Sequence, residues 1–197
     1  MNLPNKLTIL RVLMIPAFVL VMSLSVRGGE NIDALRSSGS AYFIWMRLLA
    51  CLIFCVASLT DFLDGWIARS RKLATDFGKF MDPLADKLLV CSCLILLCAE
   101  GSLPAWITIL IISREFIISG FRLIAAGKSI VIAASWWGKV KTTLQMVLCI
   151  YLILPRISMW LGRYFTGLLV LAVLVLTILS LADYIAKNRN IITEGGF

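Results

Sequence analysis

The sequence predicts an all-α, polytopic membrane protein with six transmembrane helices and both termini in the cytoplasm. Apolar runs long enough to cross a bilayer recur along the whole chain, and the mean hydropathy is +0.95. Of the 197 residues, 60% are hydrophobic. The basic residues are distributed unevenly. With the N-terminus inside, thirteen Lys and Arg fall on the cytoplasmic side. Five fall outside (Arg27, Arg36, Arg47, Arg156 and Arg163), and Lys87 lies within the third helix. That asymmetry is the positive-inside pattern.

The first helix is expected over 7–26. This run is too long for the apolar core of a signal peptide, and "SLSVRGG" after it is a poor cleavage site, so it reads as a retained span. The Gly- and Ser-rich segment Arg27 to Ser40 follows as a linker. The second and third helices, over 41–70 and 78–99, flank a concentration of acidic residues. The fourth, over 104–125, is apolar except where Arg114 and Glu115 interrupt it. The fifth, over 138–155, opens with Lys139 and Lys141, and the sixth covers 162–187. No internal repeat or soluble domain is visible, so residues 1–197 are expected to form one transmembrane domain.

The composition excludes several kinds of chemistry. The net charge is +8 and there is no histidine, which removes His-based acid–base, nucleophilic and metal-binding roles. In an apolar chain the positive excess marks cytoplasmic loops, and no nucleic-acid partner is expected. The six cysteines all lie in apolar runs without a C-x-x-C pair, so they read as small buried residues.

The stretch "DFLDGWIARSRKLATDFGKFMDPLADK", Asp61 to Lys87, holds five of the eleven acidic residues. Asp61 and Asp64 are three apart, and Asp82 and Asp86 four apart. Each pair therefore shares a helix face, with Cβ atoms about 5–6 Å apart. The short connection makes the second and third helices antiparallel neighbours, so both pairs can meet in one cavity near the cytoplasmic surface. Gly65, Ala68 and Gly78 leave room there for a ligand. Four uncompensated carboxylates at membrane depth are costly, and a divalent cation offsets that cost. All-oxygen donors favour Mg²⁺ or Mn²⁺ over Ca²⁺, and four carboxylates suffice for two ions. Each Asp also has a plainer explanation. Asp82 before Pro83 could cap a helix, Asp86 could pair with Lys87, and Asp61 could cap or pair with a loop Arg.

The spacing D-x2-D-G-x2-A-R-x8-G-x3-D-x3-D is filled by Asp61, Asp64, Gly65, Ala68, Arg69, Gly78, Asp82 and Asp86. It resembles the signature of the CDP-alcohol phosphotransferase family at every position. "NLPNKLTILRVLMIPAF", "REFIISGFR" and "WWGKVKTTLQM" are similar to bacterial members whose acceptor is glycerol 3-phosphate. The resemblance implies a six-helix, dimeric enzyme of the plasma membrane with its active site facing the cytoplasm. It implies transfer of a phosphatidyl group from CDP-diacylglycerol to an alcohol, with release of CMP. Asp61 and Asp82 would bridge two metal ions, with Asp64 and Asp86 completing one site each and Asp86 also acting as general base. Asn5, Thr8, Gly65, Ala68, Arg69, Thr75 and Gly78 would lie against the CDP-diacylglycerol head group. Arg114, Arg122, Lys139 and Lys141 would bind the phosphate of the acceptor. A different acceptor on the same fold, such as inositol phosphate or another alcohol, fits the signature equally. A divalent-cation transporter would need more acidic residues along several helices than the chain provides.

Overall fold

The computed structural model describes residues 3–26, 40–71, 76–127, 135–154 and 159–187. Within these, side chains are described for 9–26, 40–60, 85, 87–122, 125, 135–154, 162 and 164–187. Six helices account for nearly all of the described chain, and no strand occurs among the described residues. They are α1 (Leu3–Ser25), α2 (Ala41–Arg71), α3 (Asp76–Ala99), α4 (Ala105–Gly127), α5 (Trp136–Ile153) and α6 (Met159–Lys187). Their bounds fall within a few residues of those expected. Ser135 ends the approach to α5 by accepting a hydrogen bond from the Gly138 amide on its Oγ at 3.1 Å, an N-cap that starts the helix two residues earlier than expected.

The contacts divide the chain into two compact units, Met1–Leu103 with Cys149–Ile157, and Pro104–Leu148 with Ser158–Phe197. In the first unit α1 packs on both α2 and α3, and α2 touches α3. α1 buries Arg11, Ile15, Phe18, Met22 and Ser25, a single stripe at alternating spacings of four and three. Ala50 and Ala57 on α2 are fully buried, and such small side chains let helix backbones approach closely. Phe18 and Phe54 meet with ring centroids 5.7 Å apart. In the second unit α4 packs on α6, which buries Leu169, Val173, Thr177, Ser180 and Tyr184 along one side.

The outward faces carry many large apolar side chains. Leu13 is 65% exposed and Trp45 71%, and Leu20, Leu52, Leu59, Leu168, Leu171 and Ile178 are exposed as well. A soluble helix bundle does not leave so many large apolar side chains uncovered. Two runs, Ala41–Thr60 of 20 residues and Tyr164–Lys187 of 24, are long and apolar enough to cross a membrane, and only a third or less of each is buried. The described cysteines are all free thiols, four of them buried, as expected of small packing residues.

α3 ends in a glycine cap. Gly101 has φ +77°, a left-handed conformation that favours glycine. The Ser102 amide donates to Leu97 O at 2.9 Å and closes the turn. The turn carries Glu100 back towards α2.

Candidate active site

Asp61, Asp64, Gly65, Ala68 and Arg69 lie on the last three turns of α2. Gly78, Asp82 and Asp86 lie on the first three turns of α3. Asn5 and Thr8 lie at the start of α1. The side chains of all ten fall outside the described residues, and Thr75 does so entirely. The backbone still decides one of the plainer explanations. α3 begins at Asp76, so Asp82 and Pro83 sit inside the helix and Asp82 is not its cap.

The opposite ends of α2 and α3 are pinned together. Arg47, fully buried near the start of α2, contacts Glu100 just past the end of α3, Nη2 to Oε2 at 2.5 Å. Its Nη1 points at the Met22 sulfur of α1 at 2.9 Å, and its guanidinium lies 5.2 Å from the Phe43 ring centroid. Ser102 Oγ donates to the other Glu100 oxygen at 2.7 Å. The start of α2 therefore meets the end of α3, and the two helices are antiparallel. Asp61 lies fourteen residues after Arg47, and Asp86 fourteen before Glu100. At 1.5 Å per residue both are about 21 Å along their helices from the pin. Along their helices, Asp61 and Asp86 are thus equally far from the pinned end.

The second unit contains a buried polar cluster. Arg114 on α4 is 6% exposed, and Lys141 on α5 and Ser180 on α6 are fully buried. Arg114 Nε donates to Ser180 Oγ at 3.1 Å, and Ser180 Oγ in turn donates to Thr177 O at 3.0 Å. Arg114 Nη1 donates to Glu115 Oε1 at 3.1 Å, and Lys141 Nζ donates to the same oxygen. A Cβ at Gly138 would lie 3.3 Å from Arg114 Nη2, so glycine there lets the guanidinium lie close against α5. Gln145, one turn beyond Lys141, is also buried, and its Oε1 has no hydrogen-bond partner among the described residues. The other two expected phosphate-binding cations, Arg122 on α4 and Lys139 on α5, are exposed. Of the four, the structure brings Arg114 and Lys141 together on one carboxylate and leaves Arg122 and Lys139 at the surface.

Sequence reasoning turns Glu115 to the cavity beside Arg114 without giving it a role, and it does not reach Ser180 or Gly138. Glu115 had a signal, since it interrupts an apolar helix beside Arg114. Ser180 had none, because a lone serine in an apolar helix is unremarkable until its neighbour is known. Arg47, one of the cations expected on the outer side, is buried within the first unit.

The model of the CDP-alcohol phosphatidyltransferase family matches residues 1–179. The chain belongs to this family. A relative from Bacillus subtilis is 39% identical over 188 residues, 95% of each chain, and is named CDP-diacylglycerol–glycerol-3-phosphate 3-phosphatidyltransferase. One from Shigella flexneri serotype 5b carries the same name, at 39% identity over 193 residues and 95% of each chain. A protein of Mycobacterium tuberculosis, named probable phosphatidylglycerophosphate synthase, is 40% identical over 187 residues, 94% of this chain and 81% of its own. CDP-alcohol phosphatidyltransferases generally use divalent metals. The helical, outwardly apolar structure agrees with the membrane association of this family.

Proposed function

We propose that the protein transfers the phosphatidyl group of CDP-diacylglycerol to glycerol 3-phosphate, giving phosphatidylglycerophosphate and CMP. The likeness to relatives of that name over 95% of their length and its own carries the reading. The Arg114–Glu115–Lys141 cluster, with both cations buried, supports a phosphorylated acceptor, because a planar guanidinium and an ammonium are both suited to a phosphate.

The donor set of the acidic stretch fits hard divalent cations. It offers four carboxylates, two on each of two antiparallel helices, with Asp61 and Asp86 equally far along their helices from the Arg47–Glu100 pair. Asp61, Asp64, Asp82 and Asp86 would hold two Mg²⁺ or Mn²⁺ ions. When bound, such ions neutralise a pyrophosphate and stabilise the CMP leaving group. Asp86 accepts the proton of the acceptor hydroxyl as its oxygen bonds to the phosphorus bearing the diacylglycerol, and the bond from that phosphorus to CMP breaks. Asn5, Thr8, Gly65, Ala68, Arg69, Thr75 and Gly78 hold the donor's nucleotide end. Arg114, Arg122, Lys139 and Lys141 hold the acceptor phosphate.

On this reading residues 1–197 are one transmembrane domain with six spans, both termini inside and the site at the cytoplasmic face of the plasma membrane. The placement of exposed aromatics supports these spans. Trp45, Trp106 and Tyr164 lie at the helix starts expected outside, and Trp136 and Trp137 at a start expected inside. Amphipathic rings collect at both interfaces of a bilayer. A homodimer belongs to the same reading.

The test is CMP release by purified protein in micelles, with CDP-diacylglycerol and a panel of acceptors. Glycerol 3-phosphate should support turnover, and glycerol, serine and inositol phosphate should not. Preference for any of these others would replace the assigned acceptor.

A further inference from the structure

The geometry points to Glu115 and Ser180 as positioning residues that hold Arg114 and Lys141 in the arrangement that receives the acceptor's phosphate. The inference rests on the acceptor reading above. A carboxylate is an unexpected resident of a site meant for an anion, since it competes for the same donors. Its position gives a reason for its presence. One oxygen, Oε1, accepts from both Arg114 Nη1 and Lys141 Nζ, so it fixes two cations from two helices at one point. Without it, two cations nearly excluded from water would face each other with no anion between them, and burial of like charges drives such groups apart. The trio carries one net positive charge, so it still attracts a phosphate.

Ser180 anchors the other edge of the same guanidinium. Its Oγ accepts from Arg114 Nε and spends its own proton on Thr177 O. The hydroxyl is therefore oriented as an acceptor towards Arg114. Arg114 is thus gripped at Nε by α6 and at Nη1 by α4, with Nη2 against the Gly138 position of α5. A guanidinium fixed on three sides loses little further freedom when it binds a phosphate, which is where preorganisation raises affinity.

The experiment compares steady-state kinetics and glycerol 3-phosphate binding by calorimetry for five single variants, Glu115→Gln, Glu115→Ala, Ser180→Ala, Arg114→Ala and Lys141→Ala, and for the double variant Glu115→Gln with Lys141→Ala. Glu115→Gln and Ser180→Ala are near-isosteric and guard against loss of folding. Ser180→Ala and Glu115→Gln should each raise the KM for glycerol 3-phosphate on the order of 10-fold, the size of one charge-assisted hydrogen bond. Glu115→Ala, which removes the acceptor oxygen altogether, should raise it further. kcat and the KM for CDP-diacylglycerol should change by less than about two-fold in the Glu115 and Ser180 variants. Glu115→Gln combined with Lys141→Ala should shift KM by less than the product of the single effects, as for groups acting as a unit. A KM for glycerol 3-phosphate that falls in Glu115→Gln would show a carboxylate that merely competes with phosphate, and the proposal would be wrong. If Arg114→Ala and Lys141→Ala raise that KM while the Glu115 and Ser180 variants leave it unchanged, positioning fails and the acceptor reading stands. If Arg114→Ala and Lys141→Ala act only on the KM for CDP-diacylglycerol, the acceptor reading fails and takes the positioning roles with it.

Discussion

Arg47 of α2 and Glu100 at the end of α3 form a buried ion pair, Nη2 to Oε2 at 2.5 Å, at the end of the helix pair farthest from Asp61 and Asp86. The pair occupies apolar surroundings between Phe43, Met22 and the Gly101 turn. Its net contribution to stability is small by the usual balance of desolvation against attraction, and its value lies in fixing register. Breaking one side is different, because the remaining charge stays buried. Arg47→Met should cost about 3–5 kcal/mol. Adding Glu100→Leu to that variant should recover most of the loss. Denaturation in mixed micelles reads both, and a double variant less stable than Arg47→Met alone would show that the pair itself holds the helices.

Activity should depend absolutely on a divalent cation, because the proposed ligands Asp61, Asp64, Asp82 and Asp86 are all carboxylates. EDTA should abolish CMP release, and Mg²⁺ or Mn²⁺ should restore it. Full turnover in metal-free buffer would remove the metal from the mechanism.

The carboxylates should separate by role. Asp61→Asn and Asp82→Asn should raise the metal concentration needed for half-maximal rate as well as lowering the rate. Asp86→Asn should lower kcat the most, since it removes a base and a ligand together. General-base catalysis is worth roughly 10²–10⁴-fold. A near-normal Asp86→Asn enzyme would place the base elsewhere.

Exposed and buried cations should respond differently to salt. Arg122 and Lys139 are exposed, whereas Arg114 and Lys141 are buried. Arg122→Ala should raise the KM for glycerol 3-phosphate on the order of 10- to 100-fold at low ionic strength, as expected for a lost charge-assisted bond. That penalty should shrink as salt screens the exposed charge, while the penalty of Arg114→Ala should persist. Parallel salt curves for the two variants would contradict the difference in burial.

Gly138 should tolerate little. An added Cβ would lie 3.3 Å from Arg114 Nη2 and 3.4 Å from Ser135 Oγ. Arg114 is held by Ser180 and Glu115 and has little freedom to yield. Gly138→Ala should therefore raise the KM for the acceptor several-fold without unfolding the protein, and Gly138→Val should do so more strongly. Unchanged acceptor kinetics in Gly138→Val would show that the guanidinium is free to move.

The elements that could be read from the sequence are those that depend on local spacing. The six helices follow from apolar run length, and the carboxylate pairs from offsets of three and four. Lys139 and Lys141 could also have been separated, because residues two apart point to different sides of a helix. One is exposed and the other buried. Long-range choices were not legible. Nothing local marks Arg47 as the partner of Glu100, or Ser180 as the anchor of Arg114, since both pairings arise only when distant helices pack. The cations of the fourth and fifth helices were expected as one cluster, but burial divides them into an enclosed pair held by Glu115 and a surface pair.

The hairpin of α2 and α3 has a consequence for bilayer asymmetry. Asp61, Asp64, Asp82 and Asp86 are all at one end, and the other end is closed by Arg47, Glu100 and the Gly101 turn. On the reading proposed above, a lipid donor must enter and its lipid product must leave at the same height in the membrane. The enzyme therefore charges a single leaflet with new anionic lipid. Carrying that lipid to the opposite leaflet requires a separate translocation step, and in sealed vesicles without one the product should stay on the side where it was made.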